Sequence, residues 1–252
     1  MKNHSYTFEI CGNSVQSAIA AQQGGANRVE LCASMPEGGT TPSYGEIMMA
    51  RQSIDIKLHV IIRPRGGDFL YSPLEQKIML KDIEMARLLG ADGVVFGCLD
   101  RQGNVDTAFL KELVDVSCGL STTFHRAFDM CKDPKRALED IIGTGCNRIL
   151  TSGQESSAEK GITLLAELVK QAENRIIIMP GCGVNEHNIQ KIAEETGAKE
   201  FHFSAREKTP SAMEYRKNTP SMGGDCSIDE YSISITTLEK VKKTIEALRR
   251  ES

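Results

Sequence analysis

Four segments of the chain repeat one pattern: a glycine, a small residue, a short polar step and then an apolar run. They are Gly25-Ala26-Asn27-Arg28-Val29-Glu30-Leu31, Gly90-Ala91-Asp92-Gly93-Val94-Val95-Phe96, Gly145-Cys146-Asn147-Arg148-Ile149-Leu150-Thr151 and Gly197-Ala198-Lys199-Glu200-Phe201-His202-Phe203. Each reads as a helix stopped by a left-handed glycine, followed by a strand. The segments start 65, 55 and 52 residues apart, room each time for two strand–helix units. Four more strand candidates lie between them, at Thr7–Cys11, Leu58–Arg63, Thr122–Arg126 and Arg175–Met179. Helical patterns follow at Ser14–Gln23, Pro73–Leu89, Asp133–Ile142, Ile162–Ala172 and Asn188–Thr196.

Eight strands alternating with helices in 252 residues describe one α/β domain, a (β/α)8 barrel of the TIM type spanning residues 1–252. An open doubly wound sheet is the alternative. Residues 205–235 break the repeat as a long loop-rich segment after strand eight. A segment leaving that strand starts at the mouth and either folds over it or is a floppy insertion, before a final helix over 237–249.

Composition narrows the setting. The net charge is only −4, with Lys and Arg scattered along the chain, so no basic face for nucleic acid is expected. No apolar run reaches the roughly 20 residues needed to span a bilayer, and the N-terminus has no apolar signal core, so a cytoplasmic location is expected. The eight cysteines, at 11, 32, 98, 118, 131, 146, 182 and 226, form no C-x-x-C pair. That argues against a zinc ribbon or a thioredoxin-like redox site, and most of the eight read as small core residues.

Strand alternation indicates what faces the barrel interior. Glu9 and Cys11 share one face, and Glu30 and Cys32 share the same face of the next strand. If the apolar faces meet the helices, two carboxylates and two thiols point inward. Neighbouring strands lie about 4.8 Å apart, which lets both sulfurs touch one ion. Past the strand ends come Arg63 and Arg65, His125 and Arg126, and the glycines 153, 181 and 183. Two functions follow. One is a thiol metal site. The other is an enzyme acting on a small anionic, possibly phosphorylated, metabolite, with Glu9, Glu30 or His125 moving protons. Arg63, Arg65, Arg126 and the backbone at Gly153, Gly181 and Gly183 would then hold the anion. His125 is expected to titrate near neutrality, and His59 to be structural. An internal ion-pair network among Glu9, Glu30, Arg63 and Arg126 is the plain structural reading of the same residues.

Between Phe8 and about Gly224 the chain resembles the copper homeostasis protein CutC family. The resemblance is carried by Phe8–Cys11, Gly24–Cys32, Glu37–Ser43, Ile62–Phe69, Phe124–Asp129, Thr151–Gly153 and Ser221–Gly224. It implies a TIM-like barrel, a cytoplasmic protein that self-associates, a copper ion as partner, and Cu(I) held by Cys11 and Cys32. It implies no organic cofactor, no nucleic acid and no membrane.

Overall fold

The computed structural model describes residues 6–217 and 229–249; the Ser221–Gly224 stretch and Cys226 lie outside them. Eight short strands run parallel: β1 (Thr7–Gly12), β2 (Arg28–Leu31), β3 (Lys57–Ile61), β4 (Gly93–Phe96), β5 (Ser121–Phe124), β6 (Arg148–Thr151), β7 (Ile177–Pro180) and β8 (Glu200–Phe203). Hydrogen bonds link them in the order β7-β6-β5-β4-β3-β2-β1-β8. Each strand pairs with its chain neighbour and β8 returns to β1, which rules out the doubly wound order. β7 and β8 close the ring by packing: a Cβ on Gly181 would stand 3.3 Å from His202 Cβ.

The helices form where local chemistry predicts. After β1, α1 (Val15–Gln23) starts on Ser14, whose hydroxyl accepts from Ser17 N. α2 (Tyr44–Ser53) and α3 (Pro73–Leu88) each open with a capping box, Ser43 with Glu46 and Ser72 with Glu75. α4 (Thr107–Val116) is capped by Asp106, and α5 (Pro134–Thr144) by Asp133 with proline in its first turn. α6 (Ile162–Ala172), α7 (Ile189–Thr196) and α8 (Leu238–Arg249) complete the outer layer. The four repeat glycines, 25, 90, 145 and 197, all have φ between +74° and +91°. That is the left-handed turn inferred from the repeat.

Phe8, Ile10, Val29, Leu31, Leu58 and Phe201 are fully buried in the main apolar core that the strands share with α1 through α8. The opposite strand faces therefore look into the barrel, as alternation required. Two boundaries differ from the sequence reading. β5 ends at Phe124, because Ala127 N bonds back to His125 Nδ1 and the chain turns into a short 3-10 helix over Arg126–Met130. Residues 205–235 are also less irregular than expected. Within them β9 (Arg206–Pro210) pairs antiparallel with β10 (Ser232–Thr236). The alternating Ser-Ile-Ser-Ile-Thr of β10 carries a strand period that the polar surroundings hide. This ribbon is pinned at its base to α1, through Thr236 N on Ser17 Oγ (3.1 Å) and Asn13 Nδ2 on the Ser234 carbonyl (2.7 Å).

Candidate functional site

Inward side chains stack in layers, and the lower one is charged. Glu9, wholly buried, accepts from Arg28 Nε. Arg28 Nη2 reaches Glu200 at 2.7 Å, and Arg148 Nε reaches the same Glu200 oxygen at 2.6 Å. Arg148 also donates to Ser121 and Thr123, and His202 Nδ1 lies 2.8 Å from Glu9. Burial by itself would raise the Glu9 pKa, but Arg28, His202 and His59 together outweigh it and hold the carboxyl well below its usual range. Glu9 is thus a fixed anion and not a proton carrier, which corrects the expectation that it acts as acid or base. An internal ion network does exist, with different members: Glu9 belongs to it, while Arg63 and Arg126 do not. Its other members, Arg28, Arg148 and Glu200, went unnoticed in the sequence, although each has the inward parity of Glu30, Leu150 or His202. His59 sits against this layer, as expected of a structural residue. Burial lowers its pKa to about 4, and a Cβ on Gly93 would lie 2.4 Å from its Nε2, so β4 carries glycine to admit the ring.

Above this layer the barrel opens into a cavity of about 950 Å³. At its floor Cys11 and Cys32 Sγ stand 3.9 Å apart, although the register pairs Cys11 with Glu30 and Cys32 lies just past the end of β2. The stagger of the parallel strands brings the two thiols together diagonally. Both are buried in a small apolar pocket with Ile61 and Met35. The hydrogen bond from Cys32 draws the Cys11 thiol well below its ordinary range, and His202 assists. The same bond, followed by burial, pushes Cys32 up. Glu30 lies 3.5 Å from His202 Nε2, and burial raises its carboxyl to about 8. The ligand atoms of Cys11, Glu30 and Cys32 all fall within 4.8 Å of one another, as do those of Glu9, Glu30 and His202.

The residues expected to hold an anion separate. Arg63 lines the cavity and is 5% exposed. Arg126 is at the rim, paired with Asp129 at 2.6 Å and 43% exposed. Arg65 points away from the cavity to Glu75 (2.6 Å) and Asp68 (3.0 Å). Of the glycines, only Gly183 lines the cavity. Gly153 and Gly181 exist for packing: added Cβ atoms would meet the Gly161 carbonyl at 2.5 Å and Leu150 Cδ1 at 2.4 Å. His125 does not titrate near neutrality, because burial and the neighbouring Arg63 depress its pKa to about 3. Arg206, from β9, also lines the mouth and was missed. It follows Ser204, another lining residue, just past the end of β8.

Residues 6–207 match the model of the CutC family. A CutC family protein of Bacteroides fragilis is 64% identical over 98% of both chains. The human copper homeostasis protein cutC homolog is 46% identical, over 98% of this chain and 90% of the human protein. Among solved structures, the CutC copper homeostasis protein of Streptococcus agalactiae superposes with a TM-score of 0.76 at 37% identity, over 79% of this chain and 98% of that one. Among the described residues no helix is long and apolar enough to cross a membrane. With this coverage and identity, and with the barrel and inward thiols in place, the chain belongs to the CutC family.

Proposed function

We propose that this protein binds Cu(I) between the sulfurs of Cys11 and Cys32 and takes part in the copper balance of the cytoplasm. The observation that carries this reading is the 3.9 Å separation of two inward thiols, one of them readily ionised, at the floor of an open cavity. Soft thiolates favour Cu(I) over harder cations. Cys11 and Cys32 would hold the ion through their sulfurs, and the open cavity above them would leave it accessible for exchange. The copper homeostasis name of the human relative points the same way.

The test is a titration of the reduced protein with Cu(I) against a competing chelator, comparing wild type with Cys11→Ser, Cys32→Ser. One equivalent should bind tightly, and the double variant should lose more than the roughly 10–100-fold that removal of a supporting group costs. Binding that ignores both substitutions would sink the proposal.

A further inference from the structure

Two thiols account for the floor of the cavity but not for its wall. About 950 Å³ is the size of a small-molecule site, roughly 300–1,000 Å³, and far more than one ion needs. The wall holds a buried cation with no anion. Arg63 Nη1 donates to the carbonyls of Glu37 (2.7 Å) and Gly39 (2.9 Å), and Nη2 donates to that of Gly67 (2.8 Å). These partners are neutral, and among the described residues Arg63 makes no ion pair. Its Nε, also buried, has no hydrogen-bond partner, and neither does the buried hydroxyl of Tyr71, which interacts with Arg63. A buried charge of this kind is costly unless something of opposite sign meets it.

His125 repeats the pattern. Its Nδ1 accepts from Ala127 N at 3.2 Å, so the neutral ring carries its proton on Nε2. That Nε2 is buried and unpartnered as well. The two residues meet at one side chain. The Phe69 ring centroid lies 5.0 Å from the Arg63 guanidinium carbon and 5.0 Å from the His125 ring centre. Phe69 is itself part of the cavity wall, and its carbonyl is tied to Leu99 N at 2.9 Å. Its ring is half-buried and separates the two unpartnered donors from the open cavity only by its contacts with Arg63 and His125.

We propose that Arg63 and His125 form a binding site for a small monocarboxylate, entered from the cavity when the Phe69 ring swings aside. The free edge of the guanidinium, Nε–H with the remaining Nη2–H, matches the two oxygens of a carboxylate side-on, and His125 Nε2–H supplies a third donor. One cation beside a neutral imidazole balances one negative charge. A phosphate dianion would bring a second charge into a cavity where five carboxyl groups, of Glu30, Glu37, Asp68, Asp100 and Asp129, outnumber the three further arginines, Arg101, Arg126 and Arg206. The site contains neither cysteine and stands whether or not copper binds.

The experiment is an NMR titration of the reduced, metal-free full chain with sodium acetate, at constant ionic strength, following the Arg63 Nε–H and His125 Nε2–H signals. Inorganic phosphate is the comparison anion. Acetate should displace both signals saturably and bind more tightly than phosphate. Arg63→Lys keeps the charge but loses the free edge; His125→Phe keeps the ring but loses the donor. Each should weaken acetate binding at least tenfold, read on the signal that remains. His125→Phe preserves the shape of the wall and keeps the test valid should the lysine variant fold poorly. No saturable response to acetate, tighter binding of phosphate, or affinity unchanged in His125→Phe would overturn the proposal.

Discussion

The lower and upper layers of this barrel are built from the same residue types and differ in how completely they are partnered. Below, Glu9, Arg28, Glu200 and Arg148 satisfy one another within hydrogen-bonding distance. Above, Arg63 holds only neutral carbonyls and His125 keeps an idle donor. The Cys11 thiol is drawn down and that of Cys32 pushed up, beside a raised Glu30. Charge inside a fold is therefore no sign of function by itself. Unused bonding capacity beside an open cavity is the better sign; His59 Nδ1, buried in the lower layer 3.6 Å from Glu9, also lacks a hydrogen-bond partner but does not line the cavity.

The largest effect expected from breaking this contrast lies in the lower layer. Arg28→Met strands Glu9 without its cation and should cost about 3–5 kcal/mol, measured by urea unfolding. A loss below about 1 kcal/mol would mean that the lower layer is not a closed ion network. Cys11→Ser, Cys32→Ser should cost far less stability while abolishing Cu(I) binding, the reverse profile.

A smaller effect comes from His125. Its pKa falls from 6.5 to about 3 on folding. Between those values the unfolded chain binds the proton and the folded one does not, so stability drops as the pH falls. From pH 6.5 to 4.5 this amounts to about 2–3 kcal/mol. His125→Phe should therefore lose less stability than wild type between urea midpoints taken at those two pH values. Identical losses would show that His125 is not held neutral. The smallest effect is at the rim. Arg126→Ala removes a half-exposed guanidinium from an Asp129 side chain that is 6% exposed and keeps its bonds from Thr151, Ser152 and Gln154, and should change stability by about 1 kcal/mol.

Much of this was legible without coordinates. The inward parity of Glu9, Cys11, Glu30 and Cys32 follows from strand alternation, and all four lie buried on the interior face. The same rule applied to Arg28, Arg148 and Glu200 would have exposed the lower network. Those residues were overlooked because each falls at the very start of its strand, where the polar step of the repeat resembles a turn. Gly153 and Gly181 misled for a different reason. A glycine that lets a ligand approach and one that lets a neighbouring loop approach are identical in sequence. His125 was misjudged because its pKa depends on Arg63, 62 residues away in the chain.

The sequence by itself determined the repeat, the eight strands, most of the helix caps and the face on which each strand residue lies. These depend on φ, ψ and hydrogen bonds within a few residues, which local composition controls. Only the tertiary structure decided which buried charges neutralise one another, how closely the two sulfurs approach, and which donors are left over. Arg28 and Glu200 are 172 residues apart and Cys11 and Cys32 are offset in register, so their meeting depends on barrel closure and strand stagger. An unpaired Arg63 is a property of everything that surrounds it, and no local stretch of chain contains that information.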